Sequence, residues 1–136
     1  MYNFELKLTI MAKTSIAFPF ILEQLYAKNP ITKPMFGAHG VYVGNKIICI
    51  LRSKETFTNN NGIWVASLAE YHDSLKETIP VLRRIEMFDD NAGDWLIIPV
   101  DKDDFETHAN TFVDLVLHGD PRIGKVSKAK FLREIG

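Results

Sequence analysis

Two apolar runs, Val41–Val43 and Ile47–Leu51, stand on either side of the dipeptide Gly44-Asn45. Two turn-forming residues between apolar runs are the signature of a tight β-hairpin, so these segments are expected to fold back on each other as antiparallel strands. Ile47–Leu51 has no polar position, which gives it no solvent face and places it inside a sheet. Upstream, Lys33 to Gly40 reads as a loop feeding the hairpin. Pro34 removes helix from Lys33, while Gly37 and Gly40 permit backbone angles closed to other residues. At least one of these glycines is expected at positive φ or against another backbone segment.

The flanking sequence supplies further elements. Tyr2, Phe4, Leu6, Leu8 and Ile10 alternate with polar residues, the period of a half-buried strand. From Thr14 to Lys28, Pro19 suits a first helical turn and Phe18, Ile21, Leu22 and Leu25 share a face; Asn29-Pro30 ends the helix. Ser53 to Asn61 is a loop by composition. Ile63–Ala66 is a third strand of the sheet, after which Ser67 and Glu70 have capping-box spacing and open a helix that turns Leu68, Tyr71, His72 and Leu75 inward. Arg84–Phe88 and Trp95–Val100 read as a second hairpin around the acidic turn Asp89–Asp94, with Pro99 confining the latter strand to an edge or to its own end. Asp103 and Glu106 form another capping box before a helix that carries Phe105, Ala109, Phe112, Val113 and Val116 on one face and stops at Gly119.

At 136 residues, 46% apolar and 24% charged, the chain fits one globular domain. The order of elements makes the expected fold α+β, an antiparallel sheet built from hairpins with helices packed on one side. Residues 1–136 form a single domain in this reading, with 1–11 an N-terminal strand extension and 121–136 a basic C-terminal tail. The apolar runs are too short to span a bilayer and no signal peptide is visible, so no membrane association and a cytoplasmic location are expected.

The charges are segregated despite a formal net charge of −1. Acids dominate from Glu86 to Asp120, whereas Arg122, Lys125, Lys128, Lys130 and Arg133 make the tail basic. Such asymmetry marks either a partner surface or a solvated face against which the tail packs.

No catalytic signature emerges, and no catalytic residue, cofactor or metal site is assigned. His39, His72, His108 and His118 lack a third donor at metal-ligand spacing, although His108 and Asp104 lie four apart on a helix face. Cys49, mid-strand among apolar residues, reads as buried and unreactive. Gly37-Ala38-His39-Gly40 would need a following helix to cradle phosphate, and a strand follows instead. Binding candidates remain: Lys33, Phe36, Gly37, His39, Gly40 and Tyr42 around the central loop, where aromatics stand beside cations, together with Arg122 and Lys125 from the tail.

The stretch Met35-Phe36-Gly37-Ala38-His39-Gly40-Val41-Tyr42-Val43-Gly44 resembles the M-F-G-G-x-G-x-Y segment of the TfoX/Sxy N-terminal domain family, related to YjbR-like proteins. A short helix before it, a late hairpin and a final helix extend the resemblance over roughly Ser15 to His118. It implies a small α+β domain of bacterial regulatory type without established catalytic residues. Ala38 departs from the family's second glycine, and His39 stands where an aromatic is common. YjbR-like relatives have been proposed to bind DNA through wing-like hairpins, but the acidic Asp89–Asp94 turn opposes that use here.

The expectation is therefore a non-enzymatic cytoplasmic binding or regulatory domain with a protein partner or small ligand. One alternative is a small enzyme or ligand-binding protein using a cleft beside Phe36–Tyr42. Another is a weak nucleic-acid binder, with tight DNA binding at physiological salt not expected. The apolar face of Tyr2–Ile10 adds the expectation of a homodimer.

Overall fold

The Gly44-Asn45 turn joins β2 (Ala38–Val43) to β3 (Lys46–Arg52), with Val43 opposite Lys46 across the turn. Gly44 takes φ 61°, as glycine does at the first central position of a II′ turn. The computed structural model describes residues 16–87 and 93–126. Within them the sheet runs in sequential order, β1 (Ile31–Met35), β2, β3, β4 (Gly62–Ala66) and β5 (Trp95–Pro99), all antiparallel. A two-residue strand, β6 (Lys125–Val126), pairs with the start of β3. The N-terminal strand expected over residues 2–10 and most of the basic tail lie outside the described residues.

Ile31–Met35 forms a strand that takes in Lys33–Met35, where a loop was expected, and its turn is Phe36-Gly37, with φ 53° and 74°. Positive φ at both central residues is the I′ arrangement, whose twist suits antiparallel strands. Proline is compatible with this strand because β1 is an edge. Met35 and Ala38 flank a two-residue turn, so Met35, Lys33 and Ile31 face β2 with their amides, and Pro34 points its missing N–H outward.

β3 lies between β2 and β4 and is buried from Ile47 to Arg52. Its register shifts by one residue: Val41 opposes Cys49 and Tyr42 opposes Ile47, leaving Ile48 without a partner position on β2. This bulge breaks the alternation, so Ile48 and Cys49 both join the larger apolar cluster while Ile47 and Ile50 join the smaller.

The larger cluster lies between the sheet and three helices. Helix α1 (Pro19–Gln24) contributes Ile21, with Leu25 just beyond it; α2 (His72–Thr78) contributes Leu75, with Ile79 following. Helix α3 (Phe105–Leu117) buries Phe105, Ala109, Phe112, Val113 and Val116, the face that its spacing predicts. It ends at Gly119, φ 68°, whose N–H donates to Val116 O while that of Asp120 donates to Leu115 O, a Schellman closure. The smaller cluster, Ala38, Ile47, Ile50, Trp64, Ala66, Ile85 and Ile97, fills the opposite face. The α+β antiparallel expectation is thus met, with helices on one face.

Three local expectations are corrected. Neither capping box forms through its first residue: Ser67 Oγ is buried without a hydrogen-bond partner among the described residues, and α2 begins only at His72 after a 3₁₀ turn over Ala69–Tyr71. Asp104, not Asp103, precedes α3, and its carboxylate meets His108 Nε2 at 2.7 Å instead of capping the helix. The second hairpin does not form as expected over the described residues. β5 pairs with β4, and on its other side only Arg83 bridges to Ile97. The backbone N–H groups of Glu86 and Met87 donate to Asn60 Oδ1, at 2.9 and 3.2 Å, which diverts them from a ladder. Trp95–Pro99 is nonetheless an edge strand of the five-strand order that ends at its proline.

Candidate binding site

The binding candidates named from sequence separate into three places. On the sheet face away from the helices, Lys33 Nζ lies 5.1 Å from the Tyr42 ring centroid. Gly40 is buried beside them and extended rather than left-handed; a Cβ there would meet Ile47 Cδ1 at 3.3 Å and the Met35 side chain at 3.4 Å. Phe36 sits on the turn and is 72% exposed.

Gly37 and His39 come together on the other side. Gly37 holds the positive φ expected of it, and its carbonyl accepts a hydrogen bond from Lys54 Nζ at 3.3 Å. The half-buried His39 lines a cavity of about 240 Å³ with Ala17, Gly37, Ala38, Leu51, Ser53 and Lys54.

Arg122 and Lys125 lie elsewhere and are engaged within the fold. The Arg122 guanidinium meets the Asp120 carboxylate at 3.0 and 2.9 Å and donates to Ser74 O, Ser74 Oγ and Thr78 Oγ1, fastening the turn after α3 to α2. Its hydrogen bond holds the Asp120 carboxyl below the usual carboxylate range, and Asp120 in turn raises Arg122. Lys125 Nζ lies 3.5 Å from Asp94 Oδ2 and 5.4 Å from the Trp95 ring centroid. Arg52 is buried and turned onto neutral oxygens.

One concavity was not anticipated. A groove of about 590 Å³ opens between α1 and β1, lined by Pro19, Leu22, Glu23, Tyr26, Asn29, Pro30, Ile31 and Thr32. Tyr26 is 75% exposed and Ile31 58%, large values for apolar rings and branches at a rim. Leu22 packs against the larger cluster, as its spacing predicts, and also lines this groove; α1 ends at Gln24 and a 3₁₀ turn over Tyr26–Lys28 follows. Asn29 then takes φ 53° and directs the chain into β1. The signal available in sequence was the second apolar stripe Pro19, Leu22 and Tyr26, spaced three and four residues apart.

Cys49 is fully buried, and desolvation pushes its thiol far above the usual range, so no thiolate forms at neutral pH. No group of three or more metal-donor side chains occurs among the described residues. No helix among them is long and apolar enough to cross a membrane. No protein-family model, curated protein or solved structure matches the chain.

Proposed function

We propose that this chain is a binding module that takes a small, largely apolar ligand carrying a basic group in the groove between α1 and β1. The observation that carries this reading is the groove itself. Its volume of about 590 Å³ falls in the range of small-molecule sites, and such sites combine apolar walls with a few placed polar groups. Pro19, Leu22, Tyr26, Pro30 and Ile31 supply the walls, and Glu23 is the one charged side chain lining it among the described residues. A carboxylate beside an apolar surface favours a ligand with a cationic end over an anionic one.

The resemblance of Met35–Gly44 to the TfoX/Sxy N-terminal domain supports the same class of function, since it implies a regulatory domain without established catalytic residues. The reading keeps the protein non-enzymatic and acting by occupancy. Isotope-edited NMR of the Leu22 and Ile31 methyl groups tests it against a panel of amine-bearing aromatic and aliphatic fragments. Saturable shifts of both methyls are expected, abolished by Leu22→Lys and weakened by Glu23→Gln. A panel that leaves both methyls unmoved in the wild type, or that moves the Ile31 methyl equally in wild type and Leu22→Lys, overturns the proposal.

A further inference from the structure

The loop after β3 contains a buried polar network that the apolar core does not require. Arg52 is 2% exposed. Its guanidinium donates to Phe57 O and Thr56 O, each at 3.0 Å, and to Asn61 Oδ1 at 2.8 Å. These acceptors are all neutral, so the network engages three guanidinium N–H groups without cancelling the charge. Burying a guanidinium this way is costly, and burial lowers its pKa. Asn61 passes the constraint on. The Lys54 N–H donates to Asn61 Oδ1 at 2.9 Å, while Asn61 Nδ2 donates to Lys54 O at 2.8 Å. One side-chain amide therefore holds the Lys54 backbone at both its donor and its acceptor.

The result is a fixed launching point for the Lys54 side chain, which crosses to the β1–β2 turn and reaches Gly37 O. Its ammonium pairs with that carbonyl and with no carboxylate among the described residues. Glu55, next in the chain, is exposed and makes no bond in the network. The same cavity is lined by Ser53 and by His39, which is half-buried and has no hydrogen-bond partner among the described residues. Three residues able to donate thus line one concavity, close in sequence to a buried cation that meets no carboxylate among the described residues. Such convergence of donors and positive charge favours an anion.

We infer that the cavity between the β1–β2 turn and the loop after β3 is a binding site for a small oxyanion, the phosphate group or carboxylate of a small molecule, received by Lys54, Ser53 and His39. The site is separate from the α1–β1 groove and stands without it. Lys54 supplies the charge, Ser53 and His39 add directed hydrogen bonds, and the Arg52–Asn61 pair positions Lys54 without touching the anion. The leading alternative is that Lys54 only braces the turn.

An NMR titration of the full chain with sodium phosphate, sodium acetate and sodium chloride at equal ionic strength separates the two. Saturable shifts of the Ser53 and Lys54 amides and the His39 ring with phosphate or acetate, absent with chloride, are expected; which of the two saturates assigns the anion's source. Lys54→Gln, which retains a donor for Gly37, should weaken binding about tenfold or more, and Ser53→Ala should weaken it less. Asn61→Ala should weaken binding although Asn61 does not face the anion. Shifts that track ionic strength alike in all three salts, or a phosphate and acetate affinity unchanged in both Lys54→Gln and Ser53→Ala, overturn the assignment.

Discussion

Gly62 illustrates how a single missing Cβ fixes the sheet. It takes φ 146°, and a Cβ built on it would overlap the Ile98 carbonyl oxygen and lie 3.1 Å from Val100 N. Both are backbone atoms of the neighbouring strand region, so no side-chain rotation relieves the clash. Gly62→Ala is expected to lower stability by about 2–4 kcal/mol, within the range of overpacking plus strain at a special φ, as read from the urea midpoint at unchanged m-value. Gly37 poses a milder case. A Cβ there would approach Lys54 Nζ, the end of a flexible side chain, so Gly37→Ala should cost roughly 1 kcal/mol, mainly through its φ of 74°. Gly37 was legible in sequence because it stands in a glycine-rich turn. Gly62 was not, because its need arises from β5, more than thirty residues away along the chain. The same applies to Asn59-Asn60-Asn61, which composition reads as a generic loop. In the fold, Asn60 takes two backbone N–H groups and Asn61 takes Arg52 and Lys54. Cys49, by contrast, was readable from its neighbours. Its thiol should resist a disulfide-exchange reagent in the native protein and react on unfolding.

At the level of elements, apolar spacing proved most informative where one face is buried throughout. Helix α3 and the β2–β3 hairpin follow directly from it. Spacing failed where a polar side chain competes for a backbone group. Asp104 bonds His108 instead of capping α3, and Asn60 draws Glu86 and Met87 away from β5. The junction between α2 and the turn after α3 offers a pH test. Asp120 is held below the ordinary carboxylate range chiefly by its hydrogen bond to Arg122. A carboxylate with a depressed folded-state pKa contributes stability above its unfolded value of about 4 and loses it as the pH falls through the folded value. Asp120→Asn should therefore be less stable than wild type at pH 6–7, an interval in which the carboxylate is fully ionised, and the difference should shrink as the pH drops below about 4. Thermal denaturation of both proteins across pH 2–7 checks the sign. A gap of constant size down to the lowest pH would assign the effect to packing alone. Arg122→Met, which also abandons Ser74 and Thr78, should cost about 1–3 kcal/mol near neutrality.

Over the whole molecule, the two rims of the sheet are treated differently. β1 is one rim, and Pro34 with Lys33 leaves it poorly suited to accept another strand. Pro34→Thr would restore an outward N–H beside the exposed Ile31, and increased self-association by light scattering is the expected outcome. A variant as monodisperse as wild type would show that the proline does not guard this rim. The other rim, β5, is joined to β4 only after the chain has passed through α2. The first four strands are joined by short links, whereas the β4–β5 pairing must close the segment from Ala66 to Trp95. Closing a longer loop costs more chain entropy, and contacts of greater sequence separation form later on average. The meander therefore has a built-in order of assembly. A conservative truncation in β3, Ile50→Val, is expected to slow refolding, while Ile97→Val in β5 should chiefly hasten unfolding. On that schedule the Arg52–Asn61–Lys54 network is half laid when β3 meets β4 and acquires its Val100 to Asn61 backbone bond only when β5 arrives. The step that brings in β5 is thus also the step that secures the loop carrying Lys54.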